Sequence, residues 1–243
     1  MRTLFFAGRN AREILRDPLN LAFGLGFPVA LLLLLSAIQA NIPVSLFEID
    51  HLAPGISVFG LSFMTLFSAT VIAKDRGSAF LARLYTTPLT AGDFILGYTL
   101  PMLLISLVQT GICYGLALIL GLEPSVRILW GILWNLPSAL LFVGLGLLCG
   151  SLLNDKQVGG ICGALLTNLS AWLSGIWFDL DLAGGLFRKI ANFLPFVHAV
   201  ELQRAVISGD FGAVFPHFCW VFAYGLAVLI AAIFCFLRQM KSR

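Results

Sequence analysis

His198, Glu201 and Arg204 follow one another at three-residue steps, a spacing that sets an imidazole, a carboxylate and a guanidinium on one face of a helix. Such a stripe can meet a polar substrate, but a solvated or mutually paired face is the simpler reading. His51 and His217 stand apart near the edges of apolar runs, without the paired-histidine spacing or carboxylate cluster of a metal centre. Cys113, Cys149, Cys162, Cys219 and Cys235 lie inside apolar runs, none at the two-residue spacing of a zinc knuckle or redox motif, and read as packing residues. No metal site is expected. Gly55-Ile56-Ser57 and Gly60-Leu61-Ser62 share only Gly-x-Ser with a serine-nucleophile motif and lack its second glycine, so small residues easing helix contact explain them better. The phosphate-cradling pattern Gly-x-x-x-x-Gly-Lys-Ser/Thr does not occur. Hence no catalytic residue is assigned, and the chain is not expected to be an enzyme.

These residues sit in a chain of 243 that is 59% apolar and 11% charged, against roughly half and a quarter in an average soluble domain. So little charge cannot cover a soluble core, and most of the chain must meet lipid. A net charge of +3 with no basic, aromatic-interleaved groove argues against nucleic acid. Six charge-free runs reach the roughly 20 helical residues that cross a bilayer: 19–39, 52–73, 94–120, 128–150, 157–178 and 214–237. The first exceeds a signal-peptide core and is read as a retained span. Ion-coupled carriers keep costly ionisable groups inside their spans, and these six contain no Asp, Glu, Lys or Arg. Their polar groups are neutral. Ser62, Thr65 and Ser68 form a stripe that could face either a pathway or a neighbouring helix, and Asn168 and Ser174 lie in the fifth run. Gly111 and Gly115, Gly146 and Gly150, and Gly159 and Gly163 each stand four apart, a spacing that permits close helix approach.

Eleven of the 15 Lys and Arg fall on the N-terminal side of the first run, in the even-numbered connections or after the last run, so both termini are expected in the cytoplasm. Residues 1–17 read either as an amphipathic helix in the headgroup layer or as a basic flank without fixed structure. In the helical reading, Leu4, Ala7, Ala11 and Ile14 share one face and Arg9, Arg12 and Arg16 another. The cytoplasmic loop 74–92 holds a short helix near Ser78 to Tyr85 that stops at Thr87-Pro88, followed by a capping box, Thr90 with Asp93, opening the third span. Too short to stand alone in water, that helix needs a partner surface. The outer segment 179–213 is apolar enough for two short helices broken at Pro195.

The run Gly77-x-x-Phe80-x-x-Arg83-Leu84-x-Thr86-Thr87-Pro88-Leu89, followed by Asp93-Phe94-Ile95-Leu96-Gly97, resembles the loop after the second span of type-2 ATP-binding-cassette (ABC) exporter permeases. Ser174-Gly175-Ile176-Trp177-Phe178 and Leu194-Pro195-Phe196-x-His198-Ala199-Val200-Glu201-x-x-Arg204-Ala205 are similar to later segments of the same family. The likeness departs from the family pattern at Asp75, which stands as a single acidic residue where the family often has a pair, and at Asp179, where it often has Pro. The resemblance implies an all-α integral membrane protein of the cell (inner) membrane. One permease domain over 1–243 would have six transmembrane helices, an N-terminal interfacial helix and a short cytoplasmic coupling helix. It further implies a dimer, most simply a homodimer. Separate ABC ATPase subunits would carry ATP and Mg and touch Phe80, Arg83, Leu84, Tyr85, Thr86, Thr87 and Pro88. The second and fifth spans would border the pathway, making Ser62, Thr65, Ser68, Asn168 and Ser174 candidate lining. A self-contained carrier or channel is the alternative.

Overall fold

The computed structural model describes residues 2–43, 47–78, 90–178, 180 and 182–241, and among these the regular elements are all helical. Helix α1 is Arg2–Leu15. Five further helices are long and apolar enough to cross a membrane: α2 (Pro18–Gln39), α3 (Ile49–Gly77), α4 (Ala91–Ile119), α5 (Val126–Leu152) and α9 (Phe211–Lys241). Each overlaps one predicted run. Pro18 occupies the first turn of α2, where its missing N–H costs nothing, and the Asp17 side chain accepts from the Asn20 N–H as its cap.

The predicted run 157–178 takes a different form. A helix, α6, covers 155–172, opened by a reciprocal capping box between Asn154 and Gln157, and its stretch Gly159–Leu166 has π geometry. Glycine is a poor helix former, and Gly159, Gly160 and Gly163 cluster where the α ladder gives way. At about 1.5 Å per residue these residues reach at most about 27 Å, short of the roughly 30 Å hydrocarbon core. The segment from Leu173 turns instead, with Gly175 at φ +69°, a conformation that only glycine adopts cheaply.

The α3 helix is the buried axis of the bundle, with nearly all of its apolar length enclosed. The tightest packing is against the second half of α5. A Cβ on Gly146 would come within 2.5 Å of the Thr65 carbonyl oxygen, and one on Gly150 within 2.8 Å of that of Ala69. Gly111 and Gly115 have nothing within 4 Å of the same position, so one of the three four-apart pairs makes a backbone-to-backbone approach and another faces outward.

Helix α1 forms as the helical reading expects, with a different face inward. Phe6, Ala7, Asn10 and Ile14 are buried, whereas Leu4 is 68% exposed. The shift has a cause: the Asn10 amide donates to the Gly97 carbonyl (3.0 Å), and the Phe6 ring fills the space a Cβ on Gly97 would need. The outer segment forms α7 (Gly185–Phe193) and α8 (Pro195–Ser208), parted at Leu194, whose extended backbone is the one a residue before proline prefers.

Candidate functional site

The loop residues Phe80, Arg83, Leu84, Tyr85, Thr86, Thr87 and Pro88 lie outside the described residues; its two stems do not. The first stem is the last turn of α3, the second the first turn of α4. There the expected capping box is present: the Thr90 N–H donates to Asp93 (2.9 Å) and the Asp93 N–H to the Thr90 hydroxyl (3.3 Å). Helix α1 holds both stems. The Arg9 guanidinium grips the Asp75 carboxylate through two nitrogens at 2.6 and 2.9 Å, and the Tyr98 hydroxyl donates to the same carboxylate at 2.8 Å. The Thr3 hydroxyl donates to Asp93. Burial disfavours the charge on Arg9, yet Asp75 more than offsets this and holds its pKa above the ordinary arginine value. Arg76 donates to the carbonyls of Gly150 and Leu153 at the end of α5, so the first stem is tied to three helices. Arg9 and Asp75 are 66 residues apart; the only trace in the sequence is one acid within Lys74-Asp75-Arg76.

A lateral groove of about 620 Å³ runs between α2, α3 and α6. One wall is an aromatic ladder: Phe27 against Phe63, Phe63 against Phe59 and Phe59 against Trp177, each edge-to-face with centroids 5.7–5.8 Å apart. The other wall is α6, with Gly163, Thr167, Asn168 and Trp172. Both π segments reach this groove, Ala22–Gly26 through Phe23 and Gly159–Leu166 through Gly163, and π turns occur frequently at functional sites. Among the described residues its lining carries no charge, so the arrangement suits an uncharged, amphipathic guest that stacks on aromatic rings. Neither the π segments nor the ladder is visible in sequence periodicity.

Of the candidate lining residues, Asn168 is on the groove, its amide donating to the Ala164 carbonyl (2.8 Å). Ser174 is buried and donates to the Ala171 carbonyl instead. The Ser62, Thr65 and Ser68 stripe takes the neighbouring-helix alternative: Thr65 donates to the Phe142 carbonyl (2.9 Å), and Ser68 lies against Gly146. All three are buried. The stripe turns inward because the space left by Gly146 and Gly150 lets α5 close over it.

The outer polar stripe divides. Glu201 and Arg204 pair at 2.8 Å, and Arg204 also donates to the carbonyl of the left-handed Gly175 (3.1 Å), fastening α8 to the turn after α6. His198 faces His217 on α9, with the two Nδ1 atoms 2.9 Å apart. The Asn192 carbonyl can only accept from His198 Nε2, at 2.9 Å, which leaves neutral His198 Nδ1 to accept from His217 Nδ1–H. Deeper in the bundle, the fully buried Tyr114 donates to Gln203 (2.9 Å), joining α4 to α8, a contact that the sequence reading missed.

Comparison with known proteins places these features in context. The family model for the ABC-2 type transporter matches residues 3–208. The linearmycin resistance permease protein LnrN of Bacillus subtilis (strain 168) is 26% identical over 165 residues, which make up 64% of this chain and 40% of that protein. Nodulation protein J of Rhizobium leguminosarum bv. viciae is 25% identical over 197 residues, 81% of this chain and 74% of that protein. The matched region thus spans about two fifths of the length of the first relative and three quarters of the second.

Proposed function

Because this chain belongs to the ABC-2 type transporter family, membrane components of ABC transporters, we propose that it is the membrane-spanning subunit of an ATP-driven exporter. In this reading two copies, most simply identical, form the pathway. Separate ATPase subunits carry ATP and Mg and press on the 74–92 loop. The α6 segment is the sixth span, shortened by its π stretch, and both termini lie in the cytoplasm of the cell (inner) membrane. Outward transport finds support in the name of one relative, a resistance permease.

The observation that carries the coupling role is the double hold of α1 on the stems, through Arg9 to Asp75 and Thr3 to Asp93. A push on the loop between them cannot move one stem without loading the other through α1. Such an element transmits a nucleotide-dependent displacement only if the ATPase contacts it differently in its two states. The cargo that fits the groove is uncharged and amphipathic, with an apolar portion long enough to lie along Phe27, Phe63 and Phe59.

The test is co-expression with an ABC ATPase taken from a neighbouring reading frame, purification as a complex and reconstitution in lipid. The expected result is ATP hydrolysis with outward movement of cargo, and Leu84→Asp is expected to break assembly or uncouple hydrolysis from transport, since an unpaired carboxylate in an apolar contact is costly. Uptake driven by a proton or sodium gradient in the chain alone would refute the reading and establish the carrier alternative.

A further inference from the structure

Helix α1 presents three faces, and the bundle covers only one. Phe6, Asn10 and Ile14 are buried; Leu4 and Leu15, 68% and 61% exposed, form an apolar face; Arg12 and Arg16, one turn apart, form a basic one. The acids beside these arginines are engaged elsewhere. Glu13 pairs with Arg9 at 2.6 Å, and Asp17 accepts from the Asn20 backbone and side-chain nitrogens at 3.2 and 2.8 Å. Lys74 stands 3.8 Å from Asp17, beyond the length of a charge-assisted hydrogen bond, and keeps its donor capacity.

Arg16 and Lys74 rim a crevice of about 260 Å³ between α1 and α3 whose floor is Ile14, Phe67 and Val71. Phe67 precedes Lys74 by two helical turns, about 10 Å along the axis of α3. A polar, cationic mouth therefore grades into an apolar floor over the depth of a lipid headgroup and the start of its chains. Leu15 and Leu19, both exposed, continue the apolar surface beside the mouth, where α2 begins.

We infer that this crevice binds an anionic phospholipid, with its phosphate held by Arg12, Arg16 and Lys74 and its acyl chains lying along Leu15 and Leu19 toward Phe67. Two surplus cations select the charge, and the apolar floor and flank select a lipid over a soluble phosphate. The site is independent of the transport reading, because it needs only that α2 crosses a bilayer.

The test reconstitutes the full chain in nanodiscs of equal phosphatidylglycerol and phosphatidylcholine, transfers it to detergent and counts retained lipid by native mass spectrometry. Wild type is expected to retain phosphatidylglycerol preferentially, with the preference falling as ionic strength rises. R12Q/R16Q should reduce the ratio on the order of 30-fold, the effect of two cations at a membrane surface, and R12K/R16K should keep most of it. Equal retention of the two lipids by wild type, a preference indifferent to salt, or an unchanged ratio in R12Q/R16Q would overturn the assignment. Displacement of the lipid by glycerol phosphate would overturn it in favour of a soluble phosphate.

Discussion

Replacing Arg9 with glutamine takes the guanidinium away from a carboxylate whose side chain is 3% exposed and leaves Asp75 with the Tyr98 hydroxyl as its described donor. Removing one partner of a fully buried ion pair costs about 3–5 kcal/mol. Arg9 itself is 35% exposed, so water can reach part of the vacated space, and the expected loss is about 2–3 kcal/mol. That is roughly a 30- to 150-fold fall in the ratio of folded to unfolded protein. Asp75→Asn removes the charge but keeps an oxygen for Tyr98, so it should cost less, about 1 kcal/mol. The decisive variant is R9Q/D75N. With no charge left to bury, it should be more stable than R9Q alone, a coupling that single substitutions cannot show. The assay is the thermal midpoint at which the purified protein loses its monodisperse peak in detergent. A wild-type midpoint for R9Q, or a double variant less stable than R9Q, would refute the reasoning that an ion pair fixes α1 to the end of α3.

Gly146→Ala should destabilise the bundle by about 1–3 kcal/mol in the same assay, because its Cβ would meet the Thr65 backbone at 2.5 Å, whereas Gly111→Ala, with open space around it, should leave the midpoint unchanged. Tyr114→Phe strips Gln203 of its donor in a bundle core and should cost about 0.6–1.7 kcal/mol, the range of interhelical hydrogen bonds in membranes, read as a midpoint shift. For the proposed topology, a cysteine placed at Arg12 in a background lacking the five native ones should be labelled only from the cytoplasmic side and one at Lys189 only from outside; labelling of both from one side would contradict an odd number of crossings between them.

Apolar content and run length alone determined that this chain is helical and membrane-embedded, because a span must satisfy its own backbone and be apolar for about 20 residues, a requirement written in consecutive positions. Local hydrogen-bond chemistry was equally legible: the Thr90–Asp93 box and the break before Pro195 depend on residues at most three apart. The family likeness, too, rested on short contiguous motifs such as Thr86-Thr87-Pro88-Leu89. Which side of each helix meets which neighbour was not legible. In a membrane both lipid and core are apolar, so hydrophobic periodicity does not mark the inward face. Leu4 turned outward while Asn10 turned in, and the Ser62, Thr65 and Ser68 stripe went to α5 while Asn168 reached the groove. The Arg9–Asp75 pair and the aromatic groove join residues many tens of positions apart. Only tertiary packing decided them, because complementarity between distant side chains leaves no spacing for a sequence to display.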